Sequence, residues 1–295
     1  MEKLIILGLI FSLGCTQPKR KLIEPQDFDD FLEAYYQERL SLNKLEATYL
    51  GDPRYNDTLP NFLDSEFKSK QKALYRNYQD RLSDFDDDSL SEEDLLSKKV
   101  LKWESEMKLR ALDFPMDLMP IDQMWGFQLA FGQLASGQGA QPFQSVEDYD
   151  RWLIRVQGYL QWLLSAEANM RTGINSGWVL PKSLVNKVLP QLNSIITESL
   201  ENHLFYQPIV NLPDSFSQED QERLTSAYTS MVLNQIVPAY QQLYNFMSTE
   251  YLEAARNSSG FLALAGGLDY YQYAIEYYTT TQMTAEEIHA LGLSE

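Results

Sequence analysis

From position 28 onward, apolar residues recur at three- and four-residue intervals with acids and amides between them, the period of amphipathic helices. Phe28, Phe31, Leu32, Tyr35 and Tyr36 form the first apolar face, and Phe67, Leu74, Tyr75, Tyr78 and Leu82 the second. Ser91 with Asp94 makes an N-cap arrangement ahead of Leu96, Val100, Trp103 and Met107. Ser145 with Asp148 does the same for Tyr149, Trp152, Leu153, Val156, Leu160 and Leu163, a helix predicted to end near Met170. Pro181 suits the first position of the next helix, where its missing N–H is not needed. Pro190, inside that pattern, predicts a kink or a split. Ser217 with Asp220 opens the longest pattern, from Leu224 through Met247 toward Leu252, with a kink expected at Pro238. After a Gly266-Gly267 turn come Tyr270, Tyr271, Ile275 and Tyr278, and then Thr284-Ala285-Glu286-Glu287, a capping box that starts a last helix. With no strand-rich region and no internal repeat, the pattern predicts an all-α fold.

One stretch breaks the period. Between Phe114 and Phe143, three prolines and four glycines interrupt any long helix, which predicts an irregular segment with short helices only. Long ordered loops often carry function. Trp125, Phe127 and Phe131 are candidates there either for a binding surface or for aromatics that pin the loop down.

The N-terminus follows a different logic. Leu4 to Leu13 is an almost unbroken apolar run, shorter than the ~20 residues a membrane-spanning helix needs, and fits the hydrophobic region of a signal peptide. It ends in Gly14-Cys15, and Cys15 is the single cysteine of the chain. A small residue followed by cysteine at this place resembles the bacterial lipobox, with Ser12 departing from its usual leucine; the alternative is a plain signal peptide with an incidental cysteine. The lipobox reading makes Cys15 a lipid-attachment site. It divides the chain into a signal peptide over 1–14, a lipidated cysteine and polar tether over 15–25, and a helical domain over 26–295. Attachment to a membrane of the bacterial envelope, facing the periplasm or the cell surface, would follow.

Composition narrows the partners. The chain has 295 residues, 24 Lys and Arg against 42 Asp and Glu, and a net charge of −18. A polyanionic nucleic acid needs a basic footprint, so no nucleic acid is expected as a partner. Hydrophobic residues make up 44% of the chain, enough for a core and too many for a disordered tail. Catalytic patterns are missing. Only His203 and His289 are available as imidazole ligands, and they lie far apart. Phosphate-binding glycine loops and a nucleophile elbow are absent. Asp86-Asp87-Asp88 lacks the spacing of a calcium loop and reads as a solvated acidic turn. No catalytic, cofactor-binding or metal-ligating residue is assigned.

An ordered series of motifs adds a resemblance. Leu50-Gly51-Asp52-Pro53-Arg54-Tyr55-Asn56-Asp57 is followed by Gln141-Pro142-Phe143, Glu147-Asp148-Tyr149 and Met170-Arg171-Thr172-Gly173-Ile174. Pro238-Ala239-Tyr240, Glu250-Tyr251-Leu252, Ala255-Arg256 and the segment from Thr284 to Leu293 come after. The series resembles the bacterial family catalogued as domain of unknown function 885. That resemblance implies helical zinc metallopeptidases of about twice this length, related in architecture to thimet oligopeptidase and carboxypeptidase Taq. Their zinc helix lies in a second half with no counterpart here.

Two readings follow. The first expects the N-terminal half of a two-lobed, zincin-like peptidase: part of a lipid-anchored hydrolase acting on peptides outside the cytoplasm. Zinc and peptide substrate would belong to the full-length form. Its cleft candidates are the Phe114–Phe143 stretch and the Tyr270–Tyr278 region. Because the chain stops at Glu295, soon after a fresh helix cap, this reading also expects a fragment truncated at its C-terminal end. The second reading is a non-enzymatic helical lipoprotein that binds a protein partner.

Overall fold

Three helices near the N-terminus bury their apolar faces against one another. They are α1 (Phe28–Leu42), α3 (Ser65–Arg81) and α4 (Glu92–Ala111), with the short α2 (Lys44–Tyr49) between the first two. The computed structural model describes residues 27–295, so the signal peptide, Cys15 and the tether lie outside the described residues. Phe28, Phe31 and Tyr35 of α1 meet Leu74, Tyr75 and Tyr78 of α3 and Leu101 of α4 in one apolar cluster. Each such side chain contributes about 1.5–3 kcal/mol when fully buried. Caps fix the starts: the Asp64 carboxylate accepts from Glu66 N–H at 2.8 Å, and Ser91 Oγ accepts from Asp94 N–H at 3.1 Å.

The larger core surrounds α6 (Val146–Ser176), flanked by α5 (Phe127–Ala135), α7 (Lys182–Thr197), α8 (Gln207–Val210), α9 (Gln218–Met231), α10 (Val237–Phe246) and α11 (Leu252–Ala254). Ser145 and Asp148 close the expected capping box at its start. Trp152, Tyr159 and Trp162 project from α6 at helical spacing and are fully buried. Phe131 of α5 stacks on Tyr159 at 4.0 Å and on Trp152 at 4.8 Å between ring centroids. The buried hydroxyls are satisfied in series: Tyr159 bonds Tyr240 at 2.7 Å, and Tyr240 donates to the Gln128 carbonyl at 2.6 Å.

Several boundaries differ from the sequence expectation, each for a local reason. α6 runs past Met170 to Ser176 and stops at Gly177, whose φ of 80° is the left-handed end that glycine permits. Inside the helix, Gly173 lets Trp178 approach closely, because a Cβ there would lie 2.5 Å from the Trp178 carbonyl oxygen. α7 continues through Pro190 instead of splitting. Pro190 and Asn186, whose carbonyl loses its donor, both lie at exposed positions, where water can replace the missing N–H. Pro238 is preceded by a π-helical turn over Val232–Ile236. That wider turn relieves the clash a proline ring makes with the carbonyl four residues back. A second π-turn, Met247–Tyr251, joins α10 to α11.

The chain then crosses back to the first cluster. α12 (Gly267–Thr279) packs on α4, where Tyr273 Oη donates to the Met107 carbonyl at 3.1 Å and Arg110 pairs with Glu276 at 2.8 Å. α13 (Ala285–Ser294) starts from the Thr284–Glu287 capping box. Among the described residues there is no strand beyond an isolated bridge between Pro181 and Arg256, and no helix is long and apolar enough to cross a membrane. The fold is all-α.

Candidate functional site

The two histidines do not form a centre. His203 is buried, its Nε2–H reaching the Ile195 carbonyl at 3.1 Å while Nδ1 accepts from Phe205 N–H at 3.3 Å. Burial lowers its pKa, and both ring nitrogens are used in the neutral form. His289 is exposed on α13. Among the described residues no group of three or more His, Cys, Asp or Glu side chains could hold a metal ion. The Asp86–Asp88 run forms a short turn in which Asp86 accepts from Asp88 N–H and Asp87 pairs with Lys98 at 2.5 Å.

The motif residues instead meet at a buried arginine. Arg155 of α6 has no solvent exposure and no carboxylate bonded to it. It donates to Gln141 Oε1 at 2.6 Å, to Thr48 Oγ1 at 2.8 Å and to the Tyr55 carbonyl. Thr48 in turn donates to Asn56 Oδ1 at 2.9 Å, and Gln141 Nε2 reaches the Asn56 carbonyl at 3.4 Å. Desolvation pulls the Arg155 pKa down to about 10, with Asp57 opposing the shift, so the group stays cationic at neutral pH. The turn at 50–57 and the Gln141 loop are thereby fastened to the central helix. A second motif pairing does similar work: Arg256 Nε donates to the Val179 carbonyl at 3.0 Å, and Tyr251 Oη accepts from Leu180 N–H at 2.9 Å. These motifs build the scaffold, and none presents a nucleophile beside a base.

The two aromatic regions that the sequence points to lie partly at the surface. In the 114–143 stretch Phe131 is buried and Phe127 half-buried, whereas Trp125 is 86% exposed. In the tyrosine-rich segment Tyr273 is buried against α4 and Tyr270 packs on Phe114 and Phe261. Tyr271 and Tyr278 are exposed, the latter by 82%. Leu268, Tyr271 and Tyr278 fall within one sector of α12 at helical spacing, with the buried Ile275 between them on that face. Leu262 before α12, and Leu291 and Leu293 on α13, add further exposed apolar area, and no residue of α13 is buried. Large exposed apolar patches on soluble proteins mark interaction sites. A helical period shows that such residues share a face. Whether that face is covered depends on tertiary packing, which the period does not encode.

Comparisons with known proteins agree with a helical scaffold. Residues 45–295 match the family described as "Bacterial protein of unknown function (DUF885)". A solved chain described as "the putative lipoprotein from Colwellia psychrerythraea" superposes with a TM-score of 0.77 at 18% sequence identity. The superposition covers 90% of this chain and 48% of that one, so this chain spans about half the length of that solved relative. No curated protein matches the chain. The findings correct the first reading of the sequence. The family match takes in nearly the whole chain, against the expected match to an N-terminal half only, and gives no support to a two-lobed, zincin-like peptidase architecture. The all-α class stands. The family is described only as being of unknown function, and no metal-holding cluster occurs among the described residues. The metallopeptidase and hydrolase assignments are therefore withdrawn, and no lipid anchor comes with the family description.

Proposed function

This chain belongs to the bacterial DUF885 family, and from that premise we propose that it is a non-enzymatic helical envelope protein that binds a protein partner. The observation that carries the reading is the exposed apolar area on α12 and α13. Leu268, Tyr271 and Tyr278 stay in solvent on α12, although Ile275 of the same face and Tyr273 of the opposite face are buried, and Leu291 and Leu293 stay in solvent on α13. Exposed aromatic and leucine side chains are the anchors by which partner surfaces are recognised. The net charge of −18 favours a partner whose rim is neutral or basic, since like charges across an interface are repelled. Envelope location is supported by the apolar run before Cys15 and by the description of the solved relative as a lipoprotein. On this proposal Cys15 carries the lipid, and Cys15→Ser releases the protein from the membrane fraction.

The test is site-specific photocrosslinking in cells. A benzophenone side chain at position 278 should give a defined protein adduct, and one at the exposed polar position 93 on α4 should not. Leu268→Glu or Leu291→Glu should abolish the adduct while leaving helical content unchanged. Equal labelling from positions 278 and 93, or no adduct from 278, would refute the reading.

A further inference from the structure

Trp125 sits apart from the α12–α13 surface, on a loop built to hold it outward. Asp122 Oδ1 accepts from the backbone N–H groups of both Met124 and Trp125 at 2.7 Å. The Asp122 carbonyl accepts from the side chain of the fully buried Gln128 at 2.5 Å. Gly126 permits the close approach of the loop, since a Cβ there would lie 2.3 Å from the Asp122 carbonyl oxygen. An indole that is 86% exposed is thus displayed on a backbone fixed by three hydrogen bonds, the preorganisation that lowers the entropic cost of binding.

Beside it lies a concavity of about 470 Å³, between this loop, the exposed side of α5, the 136–139 turn and Tyr49. Its lining contains no charged side chain, in a protein where 22% of residues are charged. Its polar groups are neutral and able to donate and accept. The carboxamides of Gln133 and Gln138 are exposed and make no hydrogen bond within the described residues, and the exposed Tyr49 adds a phenol. A phosphate, a carboxylate or a cation would find no counter-charge there. The described residues also hold no sheet edge to which an extended peptide could add its backbone.

We propose that this concavity binds a neutral saccharide. A sugar ring has a C–H face of slight positive potential, complementary to the negative face of an indole. Its hydroxyls both donate and accept, as side-chain carboxamides do. Trp125 is the stacking platform, with Tyr49 as a second ring, while Gln133 and Gln138 read the hydroxyls. The site is independent of the protein-binding surface.

Tryptophan fluorescence tests this. Of the five tryptophans, Trp152, Trp162 and Trp178 are buried and Trp103 is half-buried, so collisional quenching by acrylamide reports chiefly on Trp125. The protein is titrated with maltotetraose, cellotetraose and the N-acetylated chitin tetrasaccharide. At least one should protect the quenchable fraction saturably. Trp125→Ala should abolish the signal, and calorimetric affinity should fall about tenfold or more with Gln133→Ala or Gln138→Ala. Far-UV dichroism of each variant establishes that it is folded. Tyr278→Ala should leave saccharide binding unchanged, separating this site from the partner surface. Protection by none of the three sugars, protection that persists in Trp125→Ala, or saturation by decaproline alone would overturn the proposal.

Discussion

Replacing Arg155 by methionine isolates what the buried cation does. Methionine fills a similar volume without charge or donors. Gln141 Oε1 loses its partner outright, which costs about 1–3 kcal/mol for an orphaned buried acceptor. The Tyr55 carbonyl still accepts from Thr58 N–H at 3.0 Å, and Thr48 still donates to Asn56. Each therefore forfeits only a charge-assisted bond, worth about 1.5–3 kcal/mol. The gross loss is about 6 kcal/mol. Against it stands the cost of holding the guanidinium out of water, visible in the fall of its pKa to about 10. At ~1.4 kcal/mol per tenfold change in proton affinity, methionine recovers about 3 kcal/mol of that. The net expectation is about 3 kcal/mol of destabilisation, or a drop of roughly 6–12 °C in Tm for a chain of this size. Thermal melts followed at 222 nm measure the drop, and hydrogen exchange should locate it as lost protection in the turn at 50–57. A variant that melts within about 2 °C of the parent, with the turn still protected, would refute the claim that the network is a net stabiliser.

Two further outcomes follow from local geometry. The folded-state pKa of His203 is lowered by burial, so the unfolded chain binds the proton more readily. The stability tied to this group is therefore present above the unfolded value of about 6.5 and is lost as pH falls through the lower folded value. The Tm difference between the parent and His203→Gln should shrink as pH is lowered from about 7.5 to about 5, and a constant difference would exclude the linkage. Gly173→Ala places a Cβ 2.5 Å from the Trp178 carbonyl oxygen and 3.0 Å from that of Leu118, both backbone atoms that cannot swing aside. It should destabilise by about 1–2 kcal/mol despite the better helix propensity of alanine. Gly292→Ala, which meets nothing within 4 Å, should be neutral or stabilising, and a higher Tm for Gly173→Ala would contradict the close approach.

Sequence reasoning locates what is local. The caps at Ser91, Ser145, Ser217 and Thr284 occur where side-chain chemistry places them, because an N-cap is decided within four residues. Where it fails, the deciding contact is remote or the backbone adjusts. The helix expected to end near Met170 runs on through Gly173, whose missing Cβ lets it pass close to Trp178 and Leu118. Pro190 reads as a break, yet solvent at an exposed position satisfies the carbonyl it frees. The motifs between Leu50 and Gln141 read as a family signature without a role. Their role appears only when Arg155, about a hundred residues away from the turn, is seen to bond both segments.

The surface sites show the same division more sharply. Trp125, Phe127 and Phe131 are indistinguishable by residue type and lie within seven positions of one another. Phe131 stacks on two rings of α6 and stabilises the core, while Trp125 contributes nothing to it and stays in water. The sequence does hold a signal that separates them. Phe127 and Phe131 are four apart and share a face of α5, whereas Trp125 precedes Gly126, the residue that starts the helix. Trp125 lies outside the i, i+4 face that Phe127 and Phe131 share, and the structure leaves it in water. Keeping so large an apolar side chain exposed forgoes about 2 kcal/mol or more of burial. That sacrifice is compensated if the indole meets a ligand, which is the physical ground for treating Trp125, and not its buried neighbours, as the functional residue of this stretch.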